Sequence, residues 1–247
     1  MNGIMEQYLS SVRAILQKAE QTQLASMEQA VQLLAVAIRD KHSLFTFGTG
    51  HASLLAQELF YRTGGLAVIN YIRAPGVSLD VNPPTLTTDV ERMAGYGKAI
   101  VEANPIGPGD VVIVHSVSGR NAVPIDVAIN AQLKGAGTVC LCNMTTSSQV
   151  TSRHESGKNL YQVCDVVIDN CGDYGDAVMR LEGFPERVAP SSTAVGAALL
   201  NAVVARTVEL LLDWGITPPV FISSNVPGGD EHNDKIMREY GAQIHYR

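Results

Sequence analysis

The chain has 247 residues, 46% of them hydrophobic, with 18 Lys plus Arg against 24 Asp plus Glu and a net charge of -6; that is enough apolar material for one large domain with its own core. No dense basic run is present, which argues against nucleic acid as a ligand. No unbroken apolar stretch has the length of a membrane span, and Met1-Asn2-Gly3-Ile4-Met5-Glu6 lacks the basic region and apolar block of a secretory signal, so the expectation is a cytoplasmic protein without membrane contact.

The first forty residues read as a helical hairpin. Tyr8, Leu9, Val12, Ile15, Leu16 and Ala19 recur at helical spacing, and after a polar break Ser26-x-x-Gln29 forms a capping-box signal before Ala30, Val31, Leu33, Leu34, Ala37 and Ile38. Strands and helices then alternate: a strand over 44–47, a helix over 53–62, a strand over 66–70, a polar insertion, a helix near 91–103 and a strand over 111–115. A helix over 123–134 follows, then strands over 138–142 and 166–168 and a helix over 194–212, with Gly135-Ala136-Gly137 closing the first of these helices. The alternation, with right-handed crossovers, predicts an α/β fold: a three-layer α/β/α sandwich on a mostly parallel, flavodoxin-like sheet. One domain is expected over 1–247, divided into the hairpin (1–42), the α/β core (43–215) and a C-terminal strand or tail (216–247) able to reach the site.

Two long connections, 72–89 and 143–165, interrupt this order. The second holds Ser152-Arg153-His154-Glu155-Ser156-Gly157-Lys158, readable as a closure over an anionic substrate or as a solvated surface loop. Asp169, Asp173 and Asp176, in a turn-rich stretch, are candidates to gather a magnesium or calcium ion but lack the full ligand pattern and terminal Glu of a calcium loop, and no metal or other cofactor is called for. The four cysteines, Cys140, Cys142, Cys164 and Cys171, are expected to be small core residues.

Chemistry concentrates in two loops. The apolar run from Asp110 to His115 empties into Ser116-Val117-Ser118-Gly119-Arg120-Asn121 at the start of a helix, where unpaired N–H groups, hydroxyls and glycine would cradle a phosphate. Leu44-Phe45-Thr46-Phe47 likewise leads into Gly48-Thr49-Gly50-His51-Ala52-Ser53, without the third glycine of a dinucleotide fingerprint. In an open parallel sheet two such loops can meet at one crevice.

In order and context these loops resemble the SIS (sugar isomerase) family of phosphosugar-binding domains, nearest its phosphoheptose-isomerase-like branch. The family pattern Ser-x-Ser-Gly-x-Ser/Thr is met here by Ser116, Ser118 and Gly119, with Asn121 in the last hydroxyl place. In the first loop Ala52 stands where a hydroxyl is usual, leaving Thr49 or Ser53 to replace that contact. Ser191, Ser192 and Thr193 resemble the segment that completes the sugar pocket, and equally resemble an ordinary helix N-cap.

The resemblance implies a phosphosugar ligand, a homodimer or homotetramer, and aldose–ketose isomerisation by proton transfer through an enediol. A phospho-amino-sugar lyase and a non-catalytic phosphosugar sensor are the alternatives. Glu58, with Arg62 four residues on, is the first candidate base; His232 with Glu231, after Pro227-Gly228-Gly229, is the second. His51 would contact phosphate, and His115, at the end of an apolar strand, is read as packed.

Overall fold

The computed structural model describes residues 3–247. Its N-terminal element is a single helix, α1 (Ile4–Arg39), where a hairpin is expected from the sequence. No Gly or Pro interrupts this stretch, Ser26 stays helical, and Thr22 Oγ1 donates to the Lys18 carbonyl at 2.8 Å, so the polar residues are absorbed without a turn. One buried stripe runs across the supposed break, through Ile15, Ala19, Met27, Ala30, Val31, Leu34 and Ile38.

The core follows as β1 (Leu44–Gly48), α2 (Ser53–Leu59), β2 (Ile69–Tyr71), α3 (Leu86–Val90), α4 (Tyr96–Glu102), β3 (Val111–His115), α5 (Ala122–Leu133), β4 (Gly137–Cys142), α6 (Met144–Ser147) and β5 (Val166–Asp169). These strands form one parallel sheet in the order β2-β1-β3-β4-β5, the flavodoxin-like order. β1 and β3 are buried along their whole length, as expected for strands covered on both faces. Val111, Ile113, Val139 and Leu141 face the layer containing α1 and α2; Val112, Val114, Cys140 and Cys142 face α4 and α5.

An antiparallel hairpin of β6 (Ala177–Leu181) and β7 (Phe184–Pro190) precedes α7 (Ser192–Asp213). α7 has the length and mean composition of a membrane span, with Asn201, Arg206 and Glu209 interrupting its apolar run; here Val195, Leu199, Val203 and Leu211 bury it in the core with α1. α8 (Gly229–Glu239) is the last α-helix, followed by a single 3-10 turn over Gly241–Gln243. In place of a C-terminal strand there is one bridge, Leu66 to Val220, and Phe221, Ile236, Tyr240 and Ile244 join the core.

α2 stops short of the expected residue 62. Phe60 turns extended and Tyr61 takes φ 42, which lets both rings pack edge-on against Tyr246 from the C-terminal segment. The chain leaves β1 toward β2 and β3 toward β4, so the carboxyl ends of β1 and β3 flank the point where strand order reverses, the place where open α/β sheets form crevices.

Candidate functional site

At the end of β3 the Ser116 hydroxyl oxygen accepts the Gly119 N–H at 3.2 Å, closing a turn in which Gly119 adopts φ 61. The turn's carbonyls are satisfied from behind: Asn143 N donates to Val117 O at 3.0 Å, Ser147 Oγ to Ser118 O at 2.9 Å and Leu160 N to Gly119 O at 2.8 Å. The N–H groups of Val117, Ser118 and Arg120 have no acceptor among the described residues. Carbonyls tied down and amides left over is the polarity of an anion nest. Asn121 does not cap α5 with its side chain; its Oδ1 accepts from Arg153 Nη1 at 2.8 Å.

The second loop starts alongside, because Gly48 is the register partner of His115. A Cβ on Gly48 would stand 2.4 Å from the Ala52 carbonyl oxygen, so the tight return into α2 requires glycine there. Thr49 is buried and its Oγ1 donates to Glu91 Oε2 at 2.8 Å. Ser53 is fully buried and spends its hydroxyl on the Gly50 carbonyl at 2.7 Å. Between the two candidates for the missing hydroxyl, Thr49 faces the cavity and Ser53 does not.

The loops meet around a cavity of about 390 Å³ lined by Thr49, Gly50, His51, Ser116, Ser118 and Asn121, together with Thr87, Thr88, Glu91, Thr146 and Asp176. Gly48 and Gly119 shape the turns behind it. Ser191, Ser192 and Thr193 lie outside the lining. At the start of α7, Asp176 Oδ1 accepts the N–H groups of Ser191 and Ser192 at 3.1 and 2.8 Å, and Oδ2 accepts the Ser192 hydroxyl at 2.6 Å. A protein carboxylate thus fills the anion position of that helix, and Ser191, at the N-cap position, makes no side-chain cap bond of its own.

The candidate bases stand elsewhere. Glu58 pairs with Arg62 and accepts from Asn201 Nδ2 at 3.0 Å. Glu231 is exposed on α8, and His232 Nε2 donates to the Val220 carbonyl at 2.9 Å. Arg62 and α8 border a separate cleft of about 400 Å³, with Phe221, Asp230, Asn233 and Arg247. His115 is fully buried against Thr46 Oγ1 at 2.9 Å, and burial alone pushes its pKa down to about 3. The three aspartates considered for a cation are separately engaged: Asp169 by the N–H groups of Met144 and Cys171, Asp173 by Arg187, Asp176 at α7.

Sequence reading took Glu91 only as the start of a helix, whereas it lines the cavity; Arg153, named only within the candidate closing loop, donates to Asn121. Asp126 on α5 brackets the segments that carry them. Its Oδ2 accepts the Gly95 N–H at 2.8 Å and its Oδ1 lies 3.0 Å from His154 Nε2. Ser156 N donates to His154 Nδ1 at 3.1 Å, which leaves the proton on Nε2, pointing at Asp126. The loop at 152–158 is therefore anchored on the core through His154, while Arg153, Glu155, Ser156, Gly157 and Lys158 are exposed.

Comparison with known proteins agrees with this architecture. The SIS domain model matches residues 7–143. A UPF0309 protein of Shouchella clausii is 42% identical over 242 residues, covering 98% of both chains. Among solved structures, a phosphoheptose isomerase from Francisella tularensis superposes with TM-score 0.53 at 13% identity, covering 82% of this chain and 95% of that one. The Vibrio vulnificus NanR protein complexed with ManNAc-6P gives TM-score 0.52 at 16% identity over 97% and 69% of the two chains. With more than half of its length matched by the family model and a full-length relative at this identity, the chain belongs to the SIS domain family.

Proposed function

We propose that this protein binds a phosphorylated sugar, with the phosphate on the loop from Ser116 to Asn121, and interconverts its aldose and ketose forms through an enediol. The observation that carries the reading is the meeting of two strand-end loops, one with unspent amides and hydroxyls, at a single cavity on the switch point of the sheet.

Moving a proton between adjacent carbons needs a base beside the sugar carbons and a partner for the hydroxyl protons. Glu91 takes the first role in place of Glu58: it lines the cavity, and the Thr49 hydroxyl on Oε2 leaves Oε1 to act. His51, at the cavity wall, takes the second. A homo-oligomer belongs to the same reading, supported by Met5, Leu9 and Leu24 standing exposed along α1. The four free cysteines support a reducing, cytoplasmic setting.

The test is proton NMR in deuterated water with a panel of hexose, heptose and N-acetylhexosamine phosphates. Deuterium appears next to the carbonyl if the reading holds. Ser118→Ala weakens binding by roughly ten- to a hundredfold, the range for losing one hydrogen bond to a charged group, whereas Glu91→Gln retains binding and abolishes exchange. Binding without exchange in the unaltered protein contradicts turnover and favours a sensor.

A further inference from the structure

Asn121 stands at the N-cap position of α5 but has no helix amide to cap. An N-cap side chain ordinarily accepts from the second or third N–H of its helix. In α5 the third residue is Pro124, which has no N–H, and the second, Val123, gives its N–H to the Glu91 carbonyl at 3.1 Å. The carboxamide oxygen of Asn121 is thereby released from the helix, and Arg153 Nη1 takes it at 2.8 Å.

That partner fixes which end of the carboxamide faces where. A guanidinium has donors and no acceptor, so the atom turned to Arg153 is the oxygen, and the NH2 group points away from it. Arg153 is exposed and lies outside the cavity lining, whereas Asn121 is only 6% exposed and lines the cavity. Asn121 Nδ2 has no acceptor among the described residues. A donor this buried, unspent and turned from Arg153 toward the cavity has its natural partner in a ligand oxygen. Arg153 is itself held in place, since its N donates to the Arg120 carbonyl at 2.8 Å and the next residue, His154, lies with Nε2 3.0 Å from Asp126 Oδ1. The fork that orients Asn121 is therefore set on α5 before any ligand arrives.

We infer that Arg153 is a positioning residue of the phosphate loop: by holding the Asn121 oxygen it turns Nδ2 onto the phosphoryl group of the ligand, in the place where the family pattern has a hydroxyl. A hydroxyl both donates and accepts; this NH2 group only donates, which suits a phosphate dianion. The inference rests on the phosphosugar reading above and adds to that site a residue that acts through Asn121 without touching the ligand.

Two measurements with glucitol 6-phosphate test it. In a proton–nitrogen correlation spectrum of the full chain, the Asn121 side-chain NH2 pair, assigned by its loss in Asn121→Thr, is expected to shift saturably with the ligand. An unmoved pair when the amides of Val117 and Ser118 have saturated overturns the inference and leaves the phosphate loop standing. In calorimetric titration, Arg153→Met is expected to weaken binding about three- to tenfold in the parent and less than about twofold in the Asn121→Thr background, whose hydroxyl needs no partner to orient it. An equal loss in both backgrounds overturns the inference, by giving Arg153 an effect on the phosphate that does not pass through Asn121, and so does the absence of loss in either. Failure of the unaltered protein to bind the probe overturns the phosphosugar reading together with this one.

Discussion

His115 shows how one residue can be legible as structure and still have a measurable consequence. Its ring is fully buried, Nδ1 has no hydrogen-bond partner among the described residues, and protonation in place is opposed down to about pH 3. In the unfolded chain the same ring protonates near the ordinary value of 6.5. The folded pKa is the lower one, so its contribution is present above pH 6.5 and is lost progressively as pH falls from 6.5 toward 3, by roughly 4 to 5 kcal/mol in the limit. His115→Gln is expected to be less stable than the parent at pH 7 but to show a flatter decline between pH 6.5 and 4 in thermal denaturation. Identical slopes in the two proteins would contradict this account. The neighbouring choice between Thr49 and Ser53 was not legible, because both carry hydroxyls and only the inward turn of the backbone at Gly50 tells them apart.

At the level of elements, the start of α7 has become a carboxylate-capped joint. Asp176 sits at φ 73, joins the end of the turn-rich stretch to β6, and ties down two amides and a hydroxyl of α7. Asp176→Ala is expected to cost about 1–3 kcal/mol in chemical denaturation, from the lost cap and the left-handed backbone. Asp176→Asn, which tolerates that backbone and keeps an acceptor, costs less. Equal losses in the two variants would show that charge, not geometry, makes the joint. The strands of the sheet were readable as apolar runs, but β6 and β7 were not: Arg180, Glu182, Glu186 and Arg187 break the alternation, and the hairpin is largely exposed. The opposite error at α1 has the same origin. A local capping signal was overruled by one long buried stripe, because packing against α7 and the sheet outweighs the preference of Ser26 for a helix end.

Across the whole molecule, the order of the sheet followed from alternation and crossover handedness, and with it the position of the crevice. The two loops at that crevice were legible because each is a contiguous run of glycine and hydroxyl residues directly after a strand. The acid was not: Glu91 was read only as the start of a helix, and the Val123 N–H on its carbonyl and the Thr49 hydroxyl on its Oε2 are what set it at the cavity. Arg153 was named only within a candidate closing loop, and its bond to Asn121 is visible only in space. Glu58 and His232 show the converse, since each occupies a plausible place in sequence and faces other partners in space.

The central claim is that the turn after β3 and the turn after β1 form one oxyanion-binding cavity, and amide-resolved NMR titration with glucitol 6-phosphate and 6-phosphogluconate tests it directly. The account predicts saturable shifts of the amides of Val117, Ser118, Gly119 and Arg120 together with those of Thr49, Gly50 and His51. Saturable shifts confined to the cleft of Phe221, Asp230 and Asn233, with both turns unmoved, would contradict it.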